Sequence, residues 1–291
     1  MRFETIGIVS KMGSDEVWST LDQLINILKA SDRTVFIDEE SSQGYPNLEA
    51  SMVRDRDTMA EAVDLIIVIG GDGTLLNIAR EVVDHHKPIL GVNLGRLGFL
   101  TDVSPEDMDQ VLVNILDGDY KEDKRMMLKV TVIRDQKVVY SDMAFNDVVI
   151  HKSDVSRIIE FETYIDRHFV FSQRSDGLIV STPTGSTAYA LSAGGPILYP
   201  DLNAITLVSV CPHTMSNRPI VIRGNSIIEI TGNNVCRGEA QVSCDGQNNF
   251  KLENDDRIRI RRYGEFVRLI HPNGYDHYDR LRAKLRWGEK F

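Results

Sequence analysis

The first 118 residues alternate short, wholly apolar runs with segments whose apolar positions recur at helical spacing. In the first of these segments Val17, Leu21, Leu24 and Leu28 lie on one helical face. Apolar strands separated by helices are typical of a mostly parallel sheet that is covered on both faces. Buried strands are predicted at 5–9, 34–37, 64–69 and 88–92, and helices at 15–30, 75–84 and 104–118.

The pattern changes after about residue 118, where short β-rich stretches are separated by turns and helical spacing nearly disappears. We therefore predict an α/β domain over 1–118 and an all-β domain over 119–267. The chain is predicted to be helical again from about residue 277, which allows the tail, 268–291, to return to the first domain. A cleft between two such domains is an expected ligand site.

Composition and charge exclude some classes of protein and of binding partner. The formal net charge is −10 over 291 residues, which argues against broad nucleic-acid binding but allows a small anionic ligand. No segment approaches the roughly 20 apolar residues that span a bilayer, and the N-terminus lacks the layout of a secretion signal. Cys211, Cys236 and Cys244 show no CxxC spacing, so we predict reduced thiols in a cytoplasmic protein without membrane partners.

A glycine-rich turn, "GGDGT" at 70–74, follows the strand predicted at 64–69. Such turns at the carboxyl end of a parallel strand commonly bind ligands, and the following helix offers free N–H groups to an anion. We expect the glycines to adopt positive φ and to admit a phosphate closely. Neither a P-loop lysine nor the third glycine of a dinucleotide fingerprint is present. The predicted phosphate turn comprises Gly70, Gly71, Gly73 and Thr74.

Asp72 places a carboxylate in the middle of this turn, where it would repel phosphate. It could favour the turn conformation, hold a metal ion that bridges to phosphate, or take a proton from a hydroxyl that attacks a phosphoryl group. Residue type alone leaves these three interpretations open.

Four sequence blocks together resemble the NAD kinase family. They are "GGDGT" (70–74), "FND" (145–147), "RSDGLIVSTPTGSTAYALSAGGPI" (174–197) and "CDGQ" (244–247). Diacylglycerol-type lipid kinases and phosphofructokinases share similar glycine turns, but the block at 174–197 is far more specific. The resemblance implies an α/β domain with a β-sandwich-like dinucleotide-binding domain. It also implies transfer of the terminal phosphoryl group of ATP to the 2′-hydroxyl of the adenosine ribose of NAD.

The resemblance also assigns roles to individual residues. Asp72 would be the proton acceptor, and Tyr189 could stack on a base. The hydroxyl-rich stretch 181–187 is suited to ligand contact. Arg157 and Arg174 would lie near the pyrophosphate, with ordinary surface arginines as the alternative. The residues implied to contact NAD are Asp72, Gly73, Asn146, Asp147, Arg157, Arg174, Asp176, Thr187, Ala188, Tyr189, Ala190, Leu191, Ser192 and Gln247.

Other implications concern cofactors and assembly. We assign no resident metal and no catalytic histidine; Mg²⁺ is expected to arrive with ATP, because phosphoryl transfer needs a divalent cation to neutralise developing charge. Homo-oligomers, dimers or tetramers, are implied by the family. Two alternative functions remain: a diacylglycerol-type lipid kinase, and a dinucleotide sensor that does not catalyse.

Overall fold

The computed structural model describes residues 3–11, 13–45, 48–95, 98–153, 158–232 and 240–287. The chain divides into two compact units. We call Met1–Lys124 together with Val267–Phe291 the α/β unit, and Arg125–Phe266 the β unit.

The elements follow one another in chain order. The strands are β1 (Thr5–Ser10), β2 (Thr34–Asp38), β3 (Val53–Arg54), β4 (Leu65–Ile69), β5 (Pro88–Val92), β6 (Tyr120–Arg134), β7 (Lys137–Ala144), β8 (Asp147–Lys152), β9 (Ile159–Ile165), β10 (His168–Ser175), β11 (Gly177–Ser181), β12 (Ala204–Val210), β13 (Ile220–Arg223), β14 (Ile228–Thr231), β15 (Ala240–Cys244), β16 (Asn248–Lys251) and β17 (Arg257–Pro272). The helices are α1 (Asp15–Ala30), α2 (Glu39–Ser42), α3 (Arg56–Ala62), α4 (Asp72–Val82), α5 (Met108–Leu116), α6 (Tyr189–Ser192) and α7 (His277–Leu285).

The α/β unit is built on a parallel sheet, as the apolar pattern predicts. Its order is β17-β5-β4-β1-β2-β3, with β17 contributing its last residues. All these neighbouring strands pair in parallel. Every residue of β4 and of β5 is buried, which is what a sheet covered on both faces requires. The sheet brings the carboxyl ends of β4 and β5 side by side.

One helix boundary in this unit differs from its prediction, and one helix, α3, was not predicted. The helix predicted from residue 104 begins at Met108, because the Ser104 side chain caps a preceding turn and accepts the Asp107 N–H at 3.2 Å. Helix α3 carries only two buried residues, Met59 and Ala60. That is too few to produce an apolar periodicity in the sequence.

The β unit is all-β apart from α6 and a short 3-10 helix at Thr184–Thr187. One antiparallel sheet has the order β13-β12-β11-β8-β15-β16. The other strands of the unit run through β10-β9-β14-β17, with β6 pairing β17 and β7. A single apolar core contains residues of both sets, such as Ile150 and Ile230. The predicted β-sandwich-like fold is therefore confirmed.

Candidate functional site

The glycine turn joins β4 directly to α4. Gly71 is the N-cap and Asp72 is the first residue of the helix, so the positive end of the helix dipole faces the turn. A Cβ atom added to Gly71 or Gly73 would have no heavy atom within 4 Å. The same atom on Gly70 would lie 2.6 Å from the Thr74 Oγ1. The space above the turn is open, and only Gly70 is required by packing within the protein.

The positive φ angles expected for these glycines are wrong. The glycines with positive φ among the described residues are Gly44, Gly118, Gly194 and Gly246. Gly71 has φ −95° and ψ −176°, an extended conformation that any residue adopts. The strand leads directly into the helix. The glycines of the turn therefore leave open space because they lack side chains, and they do not provide a left-handed backbone conformation.

The Asp72 carboxylate is held by a loop that follows β5. Its Oδ2 accepts the Phe99 N–H at 2.8 Å, and its Oδ1 accepts the Leu100 N–H at 3.0 Å and the Thr101 hydroxyl at 3.3 Å. Gly98 lets the loop come this close, since a Cβ there would lie 2.0 Å from the Asp72 Oδ1. These contacts are with a distant loop, which speaks against Asp72 serving only its own turn. A carboxylate accepts about four hydrogen bonds, so Asp72 retains capacity for a further donor.

In the β unit a second carboxylate organises a bend. Asp245 accepts the backbone N–H groups of Phe145, Asn146 and Asp147 at 2.8, 2.7 and 3.0 Å. Asp245 and Gly246 adopt positive φ in the turn between β15 and β16. Asn146 and Asp147 lie where β7 ends and β8 begins, and Asp245 fixes that break.

This bend opens onto a cavity of about 470 Å³. The volume lies within the roughly 300–1,000 Å³ that is usual for small-molecule sites. Tyr189 presents a ring that is 46% exposed. The lining combines apolar, amide and carboxylate groups and comprises Asn146, Asp147, Val149, His151, Ala188, Tyr189, Ser243, Asp245, Gly246 and Asn249.

The sequence blocks identify only part of this lining. Asn146, Asp147, Ala188 and Tyr189, which were predicted to contact NAD, line this cavity. His151, Ser243, Asp245 and Asn249 were not among the predicted contacts. For Asp245 a signal was present, because its carboxylate stands in the "CDGQ" block.

Asp147, in the wall of the cavity, has a shifted pKa. Its side chain is buried, and this desolvation is the main cause that raises the pKa of Asp147 to about 7; the nearby Asp245 carboxylate adds to the shift. The group therefore changes its charge near neutral pH.

The hydroxyl-rich stretch 181–187 serves the protein more than the cavity. Ser181, Thr182, Thr184 and Ser186 are buried. Thr182 donates to the Phe145 carbonyl at 2.7 Å, and Ser186 accepts the Leu198 N–H at 2.9 Å. The expectation that these hydroxyls face a ligand is therefore wrong for the buried ones. Thr187 is half-buried, and its hydroxyl donates to the Thr184 carbonyl at 3.2 Å.

The remaining predicted residues have varied surroundings. Asp176 pairs with the Lys152 Nζ at 2.7 Å. Arg174 is largely exposed and lies 3.9 Å from Glu160 on the neighbouring strand. Ala190 is buried in an apolar cluster, whereas Ser192 and Gln247 are exposed. Leu191 is half-buried in α6, and Arg157 lies outside the described residues.

No group of three or more His, Cys, Asp or Glu side chains that could hold a metal ion occurs among the described residues. In that part of the chain, no helix is both long and apolar enough to cross a bilayer.

Comparisons with known proteins agree with the sequence blocks. A family model described as "ATP-NAD kinase N-terminal domain" matches residues 6–120, and one described as "ATP-NAD kinase C-terminal domain" matches residues 145–271. The chain is 48% identical over 289 residues to the NAD kinase of Hydrogenovibrio crunogenus, covering 99% of both chains. It is 46% identical over 288 residues to the NAD kinase of Nitrosococcus oceani, covering 99% of this chain and 98% of the relative.

Two solved structures share the fold. Yeast NADH kinase, complexed with NADH, superposes with a TM-score of 0.89 at 22% identity, covering 100% of this chain and 90% of that one. An NAD kinase from Archaeoglobus fulgidus, in complex with ATP, gives a TM-score of 0.74 at 24% identity, covering 97% and 98%. The two relatives with 46–48% identity are NAD kinases, and neither a lipid kinase nor a sensor is supported.

Proposed function

Since the chain belongs to the NAD kinase family, we propose that Asp72 is the base of its phosphoryl transfer. The reaction moves the terminal phosphoryl group of ATP to the 2′-hydroxyl of the adenosine ribose of NAD and yields NADP. The observation that carries the proposal is the placement of the Asp72 carboxylate, fixed by three hydrogen bonds in the first turn of α4.

The chemical step assigns a task to each part of the turn. The 2′-oxygen attacks the terminal phosphorus while its proton passes to Asp72, and the bond from that phosphorus to the bridging oxygen breaks to release ADP. The helix N-terminus and the open space over Gly71 and Gly73 admit the phosphates. The negative charge of Asp72 then faces the attacking hydroxyl, while backbone N–H groups serve the phosphates.

For NAD itself, the β unit supplies the recognition. We assign NAD contacts to the cavity residues Asn146, Asp147, Ala188 and Tyr189, whose amide, carboxyl and ring groups suit ribose hydroxyls and a base. The half-exposed Tyr189 ring is available for stacking. The family resemblance extends this set to Asp176, Thr187 and Gln247.

The donor is proposed to be the Mg²⁺ complex of ATP. Mg²⁺ keeps several waters and usually binds through substrate phosphates and one or two carboxylates. In that complex it would neutralise the charge that develops on the transferred phosphoryl group. The ion is therefore a part of the substrate and not a resident cofactor of this chain.

We also propose a homo-oligomer in the cytoplasm. The oligomer is implied by the family, and the location by three cysteines without paired spacing, which suit a reducing compartment. Light scattering of the purified protein should give a mass that is a whole multiple, two or four, of 32.8 kDa. A monomer mass at micromolar concentration would overturn the oligomer.

An NAD analogue that lacks only the adenosine 2′-hydroxyl tests the assigned acceptor. It should bind with a loss of about 0.5–1.5 kcal/mol, the usual net contribution of one hydrogen bond, and it should receive no phosphate. Binding is measured by calorimetry and product by mass spectrometry. A phosphorylated product from this analogue would show that another oxygen is the nucleophile.

A methyl group on Gly71 tests whether phosphates approach the turn. Gly71→Ala has an ordinary φ and no protein atom within 4 Å of the new Cβ, so the protein should fold normally. We expect kcat/KM for ATP to fall at least about tenfold, which corresponds to about 1.4 kcal/mol of lost transition-state binding. Gly264→Ala is the matched control, because its Cβ also meets no atom within 4 Å. Equal kinetics in the two variants would contradict the approach of a ligand to Gly71.

A further inference from the structure

The loop that holds Asp72 is itself anchored by a buried ionic cluster near the C-terminus of the chain. We propose that Asp102, His271 and Arg280 are positioning residues that fix the loop 98–101, and through it the Asp72 carboxylate. The inference rests on the proposed role of Asp72 as the base, and it goes beyond that role by naming what keeps the base in place.

Asp102 directly follows the residues that bind Asp72. Its backbone N–H donates to the Gly91 carbonyl of β5 at 3.2 Å, and its side chain is only 2% exposed. The next residue, Val103, bridges to Val92. Asp102 is therefore the point at which the loop returns to the sheet, one residue after Thr101.

His271 is the principal partner of this carboxylate. Its Nδ1 is hydrogen-bonded to the Asp102 Oδ2, and its Nε2 lies 3.7 Å from the Asp123 Oδ2. The ring is 1% exposed and stacks on Tyr275, with ring centroids 4.0 Å apart. His271 lies buried near the end of β17. A buried carboxylate needs such a partner, because desolvation without one is expensive.

Helix α7 completes the anchor. The Arg280 Nε lies 3.4 Å from the Asp102 Oδ1, and the Arg280 Nη2 donates to the Asp102 carbonyl at 3.4 Å. One turn later the Lys284 ammonium lies 5.9 Å from the centre of the Phe99 ring. The helix thus approaches the loop at Phe99, which carries one of the two amides that bind Asp72, and at Asp102, two residues after the second amide.

Because the cluster holds the loop that binds Asp72, we expect its loss to lower kcat and not only the stability of the protein. The Phe99 and Leu100 amides locate both carboxylate oxygens of Asp72. If Asp102 no longer anchors the loop, those amides shift and the base shifts with them. A misplacement of about 1 Å at a reacting group can reduce the rate about 100-fold, whereas NAD and ATP affinity depend on other residues.

The test compares variants of the cluster with a matched ion-pair variant. Asp102→Asn should lower kcat about 10- to 100-fold, and Arg280→Gln, on a helix surface and less disruptive to folding, should lower it several-fold. The KM values for NAD and ATP should stay within about threefold. Glu122→Gln is the control, since it removes the exposed pair with Arg268 in the same unit and should leave kcat unchanged.

Two further readouts separate positioning from simple stability. Hydrogen exchange of the Phe99 and Leu100 amides should quicken in Asp102→Asn and Arg280→Gln but not in Glu122→Gln. His271→Asn keeps a nitrogen donor near the Nδ1 position and should retain most of the activity, whereas His271→Leu should behave like Asp102→Asn. Exchange and kcat that match the control in both cluster variants would overturn the inference, and so would faster exchange with unchanged kcat. Failure of Asp72 as the base would appear separately, as normal turnover in an Asp72 variant.

Discussion

The Asp72→Asn variant is expected to turn over NAD about 100 to 10,000 times more slowly than the wild type, the usual contribution of a positioned general base. The amide has the size of the carboxylate and can still accept a hydrogen bond, so NAD affinity should change little. It cannot take a proton usefully. Measurement of kcat, NAD affinity and Mg²⁺ dependence on the purified variant separates the three interpretations of this residue.

The structure adds a control to this experiment. The Asn side chain has an NH₂ group in place of one carboxylate oxygen. In Asp72→Asn one of the two loop N–H groups therefore loses its acceptor, and displacement of the loop 98–101 would contribute to the loss of activity. Thr101→Val removes one hydrogen bond to Asp72 but keeps the base, and it should lose only a few-fold in kcat. Activity of Asp72→Asn within a few-fold of wild type would refute the base, and a loss that added Mg²⁺ reverses would favour a metal ligand.

The second large effect is a dependence of stability on pH that comes from Asp147. Its pKa is about 7 in the folded protein, mainly through burial, against an ordinary value of 3.8. Between these values the folded state keeps a proton that the unfolded state has lost, so stability falls as pH rises through this window. The difference between the folded and unfolded pKa of Asp147 corresponds to a loss of roughly 4 kcal/mol, complete above about pH 8.

Asp147→Asn removes this titration. The free energy of unfolding of the variant should rise relative to wild type between pH 4 and 8, by up to about 4 kcal/mol. Urea unfolding across this range measures the difference. Asp201→Asn, an exposed residue of the same unit, is the control for the loss of one negative charge. If the free energy of unfolding depends on pH in the same way in wild type and Asp147→Asn, the inference that Asp147 keeps its proton in the folded state is wrong.

Local patterns were sufficient to predict most of the α/β unit. The apolar run at Leu65–Ile69 is a buried strand because a central parallel strand has no polar face. In the β unit, Ile258 and Ile260 alternate with arginines at the start of β17 and are buried. Both patterns are visible in consecutive residues, because side chains alternate in direction along a strand and a strand buried on both faces is apolar throughout.

The contacts that define the site are long-range and left little trace in the sequence. Asp245 binds amides about 100 positions earlier, and His271 binds Asp102 across 169 positions. No periodicity reports such pairs. The same holds for the hydroxyl-rich stretch, where composition suggested ligand contact but the fold buries Thr182 and Ser186 for backbone hydrogen bonds.

Motif resemblance located part of the cavity, because block residues such as Asn146 and Tyr189 lie together on its wall. It did not supply the local geometry. The turn glycines were expected to adopt positive φ but do not, and the resemblance did not show that β7 ends and β8 begins around Asn146 and Asp147. These features depend on how the backbone meets side chains from elsewhere, namely Thr74 at the turn and Asp245 at the break.

A single incubation of the purified protein with NAD, ATP and Mg²⁺ examines the proposed reaction. NADP should form in step with ADP, with the new phosphate on the 2′-oxygen of the adenosine ribose, as ³¹P NMR and an NADP-specific dehydrogenase can establish. Asp72→Asn should yield product at least about 100 times more slowly under the same conditions. Absence of NADP with the wild-type protein, or a phosphate on any other hydroxyl, would contradict the assigned function.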